Sequence, residues 1–222
     1  MEFNLDAYKM YAAFELAKLI PFYQAEGIFQ FGSTVYKNKK PDDIDIIVVY
    51  NSDITNSDYQ FKSGIYNVNA YHLTKFTSML HAHKIDALEC LFLPSTSYSF
   101  ISPILQSIFN SFVINKSTLR RSIASTCSNS YAKAKKKLLV KEDYDLEASV
   151  KSLWHSFRIM NFGIQIAETN KINDFKAMNQ LFVVVIQKYI STNGNWDEIH
   201  SEFKPLMNEL HTKFKLLCPL EE

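Results

Sequence analysis

The stretch FQFGSTVYKNKKPDDIDIIVV, Phe29–Val49, decides the fold. Ile28–Phe31 is short, apolar and aromatic, stops at Gly32, and reads as a strand. Ile44–Tyr50 is rich in β-branched residues, closes on Asn51-Ser52-Asp53, and reads as a second, buried strand. Side chains alternate along a strand, so Asp43 and Asp45 point to one face and Ile44 and Ile46 to the other. Two carboxylates on one face at the mouth of a buried strand repel each other and are costly to desolvate. A divalent cation removes that cost. Mg²⁺, or Mn²⁺ in its place, takes oxygen ligands and keeps positions open for water and phosphate oxygens. Asp43 and Asp45 are therefore the expected metal ligands. Gly32 lets the backbone approach an anion closely. The amides beyond it and the Ser33 hydroxyl can hold phosphate oxygens, above all if a helix begins at Thr34. A phosphate cradle and a carboxylate pair on adjacent strands suit a nucleoside triphosphate, ATP among them, with its metal.

Working outward, Asp6–Ile20 reads as a helix from the spacing of Tyr8, Tyr11, Ala12, Leu16, Leu19 and Ile20, ended by Pro21. Ser63–Leu73 opens on a Ser-Gly turn and alternates as a third strand. Thr74–His81 suits a helix with Phe76 and Leu80 on one face, and Asp86–Leu93 is a short apolar segment ended by Pro94. After about Phe112 the β-branched runs give way to helical patterns at Leu119–Leu139, Leu146–Thr169, Phe175–Tyr189 and Trp196–Leu217. The chain thus divides into an α/β part, 1–112, and a helical part, 113–222. The class is α+β, a mixed sheet with flanking helices followed by a helical bundle.

Composition bounds the rest. With 47% hydrophobic residues the 222-residue chain can bury a sizeable core and is not of the disordered type. The net charge of +1 gives no global attraction to nucleic acid or membrane, so any such bias must be local. Cys90, Cys127 and Cys218 are few and scattered, which suggests free thiols in a reducing compartment. No signal peptide is apparent at the N-terminus, and the longest apolar runs are too short to span a bilayer. A cytoplasmic protein with no membrane partner is the expectation.

Gly32-Ser33, nine residues, then Asp43-Ile44-Asp45 in an apolar strand resembles the signature of the DNA polymerase β-like nucleotidyltransferase superfamily. NVNAYHLTKF (Asn67–Phe76), LECLFLP (Leu88–Pro94), SYAKAKKKL (Ser130–Leu138) and KSLWHSFRIMNFGIQI (Lys151–Ile166) are similar to its predicted RNA-repair-type branch in bacteria and phages. The resemblance touches most of the chain. It implies a nucleotidyltransferase fold in the first part, and transfer of a nucleoside monophosphate from an NTP to an acceptor hydroxyl, an RNA 3′ end above all, with release of pyrophosphate.

The resemblance also implies a third carboxylate on the neighbouring strand, and lays Asn67 at that place; upstream, Asp42 stands where many members have serine, a tolerable change. Asparagine offers a carbonyl oxygen but neither charge nor a base. Three readings stay open. Asn67 is a weaker ligand in an active enzyme; or another acidic residue, Glu89 first, fills the place; or the chain binds nucleotide, RNA or a protein partner without catalysis. Lys151, His155 and Arg158, spaced by four and three, share a helix face and match the resemblance as candidates for holding the triphosphate. Lys116–Lys141 carries eight basic residues and no acidic one, which offers either a face for RNA or a solvated helix face balanced by the acidic residues after it. His81 and His83, with Asp86 and Cys90 nearby, match no common zinc site in count or spacing.

Overall fold

The computed structural model describes residues 11 and 18, residues 20–36 and residues 43–220. Most of the expected Asp6–Ile20 helix, and the insert with Asp42, lie outside these. The chain divides into two compact units, Met1–Val113 and Ile114–Glu222. The class is α+β.

In the first unit five strands form one mixed sheet. They are β1 (Ala25–Phe31), β2 (Ile44–Tyr50), β3 (Tyr59–Ser63), β4 (Tyr66–His72) and β5 (Tyr98–Ile101), in the spatial order β3-β4-β2-β1-β5. β2 runs parallel to β4, and the other neighbours are antiparallel. Among the described residues, four α-helices accompany the sheet: α1 (Ser33–Tyr36), α2 (Leu73–His81), α3 (Ile85–Phe92) and α4 (Pro103–Ser111).

The unbroken apolar run of β2 has a simple cause: both of its faces are covered. Ile46, Val48 and Tyr50 join Ile28, Val68, Ala70, Tyr11 and Ile20 in one buried cluster. Ile47 and Val49 are buried on the opposite face. There Phe29, paired with Ile47, stacks on Phe76 of α2 at 6.4 Å and meets Phe109 of α4 at 6.0 Å. Asp43 and Asp45 belong to this second face by alternation.

Four details of the first unit differ from the sequence reading. β1 begins at Ala25, three residues early, because the buried Glu26 carboxylate accepts a hydrogen bond from Ser102 Oγ and so tolerates a place in the sheet. β3 precedes the Ser63-Gly64 turn and makes a hairpin with β4. The expected Asp86–Leu93 segment is a full helix, α3, up to Phe92, with Leu93 as its C-cap. β5 and α4 follow Pro94, with Ser102 capping α4 through Leu105 N at 3.1 Å and Pro103 in its first turn.

The second unit holds α5 (Lys116–Leu139), α6 (Leu146–Thr169), α7 (Asn179–Ser191) and α8 (Trp196–Leu217). α6 is the central helix. α5 packs along it and α8 packs against both. Leu119, Ile123 and Leu138 of α5, Leu153, Phe157, Met160 and Phe162 of α6, and Phe203, Met207 and Phe214 of α8 are all buried. The expected Phe175–Tyr189 helix starts only at Asn179. Residues 173 and 174 instead donate their amides to Gln165 Oε1, each at 2.9 Å, and Phe175 turns its ring edge-on to Phe162 at 5.3 Å.

Gly163 marks a close approach of α6 to α5 and α8. A Cβ there would lie 2.7 Å from Ile123 Cγ2 and 3.2 Å from Phe214 Cε2, with no flexible end to move aside. Gly163→Ala should therefore destabilise the helical unit by about 1–3 kcal/mol, overpacking outweighing the helix propensity gained. Guanidinium unfolding followed by tryptophan emission reads this unit alone, since Trp154 and Trp196 both lie in it.

Candidate functional site

β1 ends at Phe31 and the chain turns at Gly32, whose φ of +68° lies in the left-handed region. The turn is short because Val35 N donates to Gly32 O at 3.0 Å and Thr34 Oγ1 to Phe31 O at 2.8 Å. The helix that follows begins at Ser33, one residue before the expected start, and spans four residues. A Cβ on Gly32 would sit 2.6 Å from Asp45 Oδ2 and 3.3 Å from the Tyr36 hydroxyl oxygen. The turn of the Gly-Ser pair therefore lies directly against the carboxylate of Asp45.

Register explains the neighbours. Across the sheet, Phe31 pairs with Asp45, Asp45 with Asn67, and Asn67 with Lys62. Directly paired residues share a face, so these four side chains form one row. Asn67 Nδ2 donates to Asp43 Oδ2 at 2.7 Å and reaches Asp45 Oδ1 at 3.4 Å. Asp43, Asp45 and Asn67 are thus one cluster, half-buried at the mouth of parallel strands. The register sets Asn67 directly beside Asp45 on the strand next to β2. Glu89 lies elsewhere, buried on α3 rather than on the neighbouring strand.

The amide between two carboxylates satisfies lone pairs without adding charge. The same asparagine, turned about its last torsion, presents Oδ1 to that space. Two carboxylates and an amide oxygen then make an all-oxygen set with room for phosphate oxygens, which fits a hard dication such as Mg²⁺. Lys62 was not anticipated as part of this row, because the strand that carries it was not recognised. Its alternation with Tyr59 and Phe61 before a Ser-Gly turn was the available signal.

In the helical unit the three face-sharing residues part company. Lys151 is exposed and pairs with Glu147 at 2.5 Å, a surface i,i+4 contact of small energetic value. Arg158 is buried, and its guanidinium lies 5.7 Å from the Trp154 ring centre and 5.2 Å from that of Phe162. Its Nη2 donates to His155 Nδ1 at 2.7 Å. Arginine has only donors, so His155 accepts on Nδ1 and carries its proton on Nε2. Burial first, then the Arg158 and Lys133 charges, push His155 down from 6.5 to about 3. It is neutral at pH 7.

Seven of the eight bases of the basic stretch lie on α5, and Lys141 follows it. Arg120 donates to Cys218 O at 3.1 Å and Arg121 to Ser117 Oγ at 3.2 Å. Lys137 and Lys136 reach Asp143 at 2.7 and 3.0 Å, and hold its carboxyl below the usual range. Half of the eight bases are therefore engaged inside the unit, and Lys116, Lys133, Lys135 and Lys141 are exposed. His83 is buried against Phe112 with its Nδ1 on His81 O. No helix among the described residues is long and apolar enough to cross a membrane.

No family model matches the chain, and no curated protein does. Several solved structures are similar to it. One is a nucleotidyltransferase-like protein from Exiguobacterium sibiricum 255-15, 8% identical, over 96% of this chain and 73% of that one, with a TM-score of 0.34. So distant a likeness carries no weight beside the site's own geometry.

Two outcomes follow. Gly32→Ala should cost about 1–2 kcal/mol in left-handed backbone strain and displace Asp45, which thermal unfolding followed by far-ultraviolet dichroism reads. The helical unit should lose stability as pH falls from about 6.5 toward 3. A base whose folded value is depressed keeps its full contribution above its unfolded value and loses it through that window. In wild type against His155→Gln, chemical unfolding at each pH should give a stability difference that changes by up to about 1.4 kcal/mol per pH unit.

Proposed function

We propose that the chain is a metal-dependent nucleotidyltransferase that moves a nucleoside monophosphate from an NTP to an acceptor hydroxyl, an RNA 3′ end being favoured. The observation that supports this reading is the cluster of Asp43, Asp45 and Asn67 with the Gly32 turn against Asp45. Asp43 and Asp45 would hold Mg²⁺, which supplies charge neutralisation on the triphosphate when bound. Ser33 and the amide after Gly32 would hold the terminal phosphates, and Lys62, in the same row, adds a cation at the sheet edge. The acceptor oxygen attacks the α-phosphorus, the bond to the bridging oxygen breaks, and pyrophosphate leaves. Asn67 has no basic group, so the acceptor's proton passes to solvent or substrate. The proposed setting is cytoplasmic. His155 and Arg158 would act by shaping the helical unit, their groups being turned to each other.

A second reading is favoured by one observation. Asn67 Nδ2 already bridges the two carboxylates, which stabilises the cluster without a cation. On that reading the chain binds nucleotide, RNA or a protein partner with transfer weakened or lost. Transfer of α-labelled NTPs to a pool of RNAs, with Mg²⁺ or Mn²⁺, separates the two. Asp43→Ala should lower transfer by about 100-fold or more, and equal transfer by wild type and this variant would sink the enzyme reading. Asn67→Asp should raise transfer by roughly tenfold or more if the missing charge is what limits the site. Transfer absent in wild type but gained in Asn67→Asp favours the second reading.

A further inference from the structure

The helical unit contains a cavity of about 380 Å³ between α5 and α8. Its size falls in the range of small-molecule sites, roughly 300–1,000 Å³. Two of its walls are rings held in place. Tyr131 meets Trp196 edge-on, with centroids 5.7 Å apart and planes at 77°. The Tyr131 hydroxyl and His200 Nδ1 are 3.1 Å apart, which fixes the tyrosine ring, and His200 leans on Trp196 at 5.8 Å. Trp196 is buried although it lines the cavity. Ring surfaces fixed in this way lose little entropy when a flat ligand stacks on them.

The remaining wall is sulfur. Cys127 Sγ lies 3.5 Å from Met207 Sδ and 3.9 Å from His211 Nε2. Burial pushes the Cys127 thiol up to about 12, and burial with the Lys215 and Lys204 charges pushes His211 down. Thiol and imidazole are both neutral at pH 7, so the pair is a soft apolar wall and not a nucleophile with its base. The rim is charged. Lys135 comes from α5 and Lys204 from α8, both exposed, and Lys204 Nζ stands 5.7 Å from the Tyr131 ring centre. Lys136 and Lys137 are drawn to Asp143, but Lys135 lines the cavity. Asp197 adds one carboxylate. Two cations against one anion favour a negatively charged ligand, and Asp197 can accept from an amine on its ring.

We propose that this cavity binds a planar heteroaromatic ring carrying an anionic group, the chemistry of a nucleotide base with its 5′ phosphate. The base stacks on Tyr131 beside the buried Trp196, and the phosphate lies against Lys135 and Lys204. A free mononucleotide and a single nucleotide of an RNA strand share this chemistry. The site shares no residue with the Asp43–Asp45 cluster, so it stands whichever way the transfer assay falls.

The test is titration of the full chain, in EDTA and at low salt, with AMP, adenosine, inorganic phosphate and hexaadenylate. It is read by calorimetry and by the two indole N–H resonances, assigned with Trp154→Phe. EDTA silences the metal-dependent site, so binding here cannot be borrowed from it. AMP should bind saturably and shift Trp196 but not Trp154. Adenosine and phosphate should each bind much more weakly. Lys135→Glu with Lys204→Glu, both exposed, should weaken AMP about tenfold. If hexaadenylate alone binds, with the same Trp196 shift and the same weakening, the proposal holds and the source is a strand. No Trp196 shift with either ligand up to about 5 mM, or binding indifferent to the two charge reversals, overturns it.

Discussion

The first unit depends on the repulsion between two carboxylates that the strand period forces onto one face. Asp43 and Asp45 cannot be relieved by turning away, since β2 is fixed by neighbours on both sides and buried on both faces beyond Asp45. What relieves them comes from elsewhere in the chain. Asn67 donates to both, and it can do so because β4 runs parallel to β2 in the one register that places residue 67 beside residue 45. A slip of one residue would turn Asn67 to the opposite face and bring Val68 beside Asp45. The cluster and the strand register therefore specify each other.

Gly32 extends this constraint to β1. The carboxylate of Asp45 occupies the space a side chain at residue 32 would need, so the turn can approach only without a Cβ. The antiparallel pairing of Phe31 with Asp45 brings the turn to that place. Three strands thus meet at one point, each contributing a different element: backbone from β1, carboxylates from β2, an amide from β4. The apolar residues behind them, Phe29 and Ile47 on the same face, keep those strands from shifting by packing against α2 and α4.

Much of this was legible in the sequence, and the failures have physical causes. β2 was plain because a strand buried on both faces must be continuously apolar. Gly32, Ser33, Asp43 and Asp45 could be read as candidates because their chemistry is local. Asn67 entered through resemblance, and the register sets it beside Asp45. Glu26 hid the start of β1, since a carboxylate argues against a strand unless its partner, Ser102, can be foreseen 76 residues away. β3 was missed because only alternation marks an exposed edge strand, and Lys62 went with it. Spacing correctly put Lys151, His155 and Arg158 along one helix but could not reveal their depth. A helix as buried as α6 leaves Arg158 inside and Lys151 outside within two turns.

Arg158 and the cavity rim show why cation counts read from sequence mislead. Arg158 sits among Trp154 and Phe162 with its charge on a neutral imidazole, an arrangement that trades solvation for ring contacts and a hydrogen bond. Burial first, and then the Arg158 charge, keep His155 neutral, so the pair carries a single charge at pH 7. Lys135, in contrast, looks like one more base in a run, yet its neighbours' attachment to Asp143 leaves it facing rings and an exposed lysine on another helix. Two cations that line one aromatic cavity act on the same ligand, whereas Arg120, Arg121, Lys136 and Lys137 are engaged within the unit. Any anion selectivity of this unit therefore belongs to the few lysines that meet, and not to the length of the basic stretch.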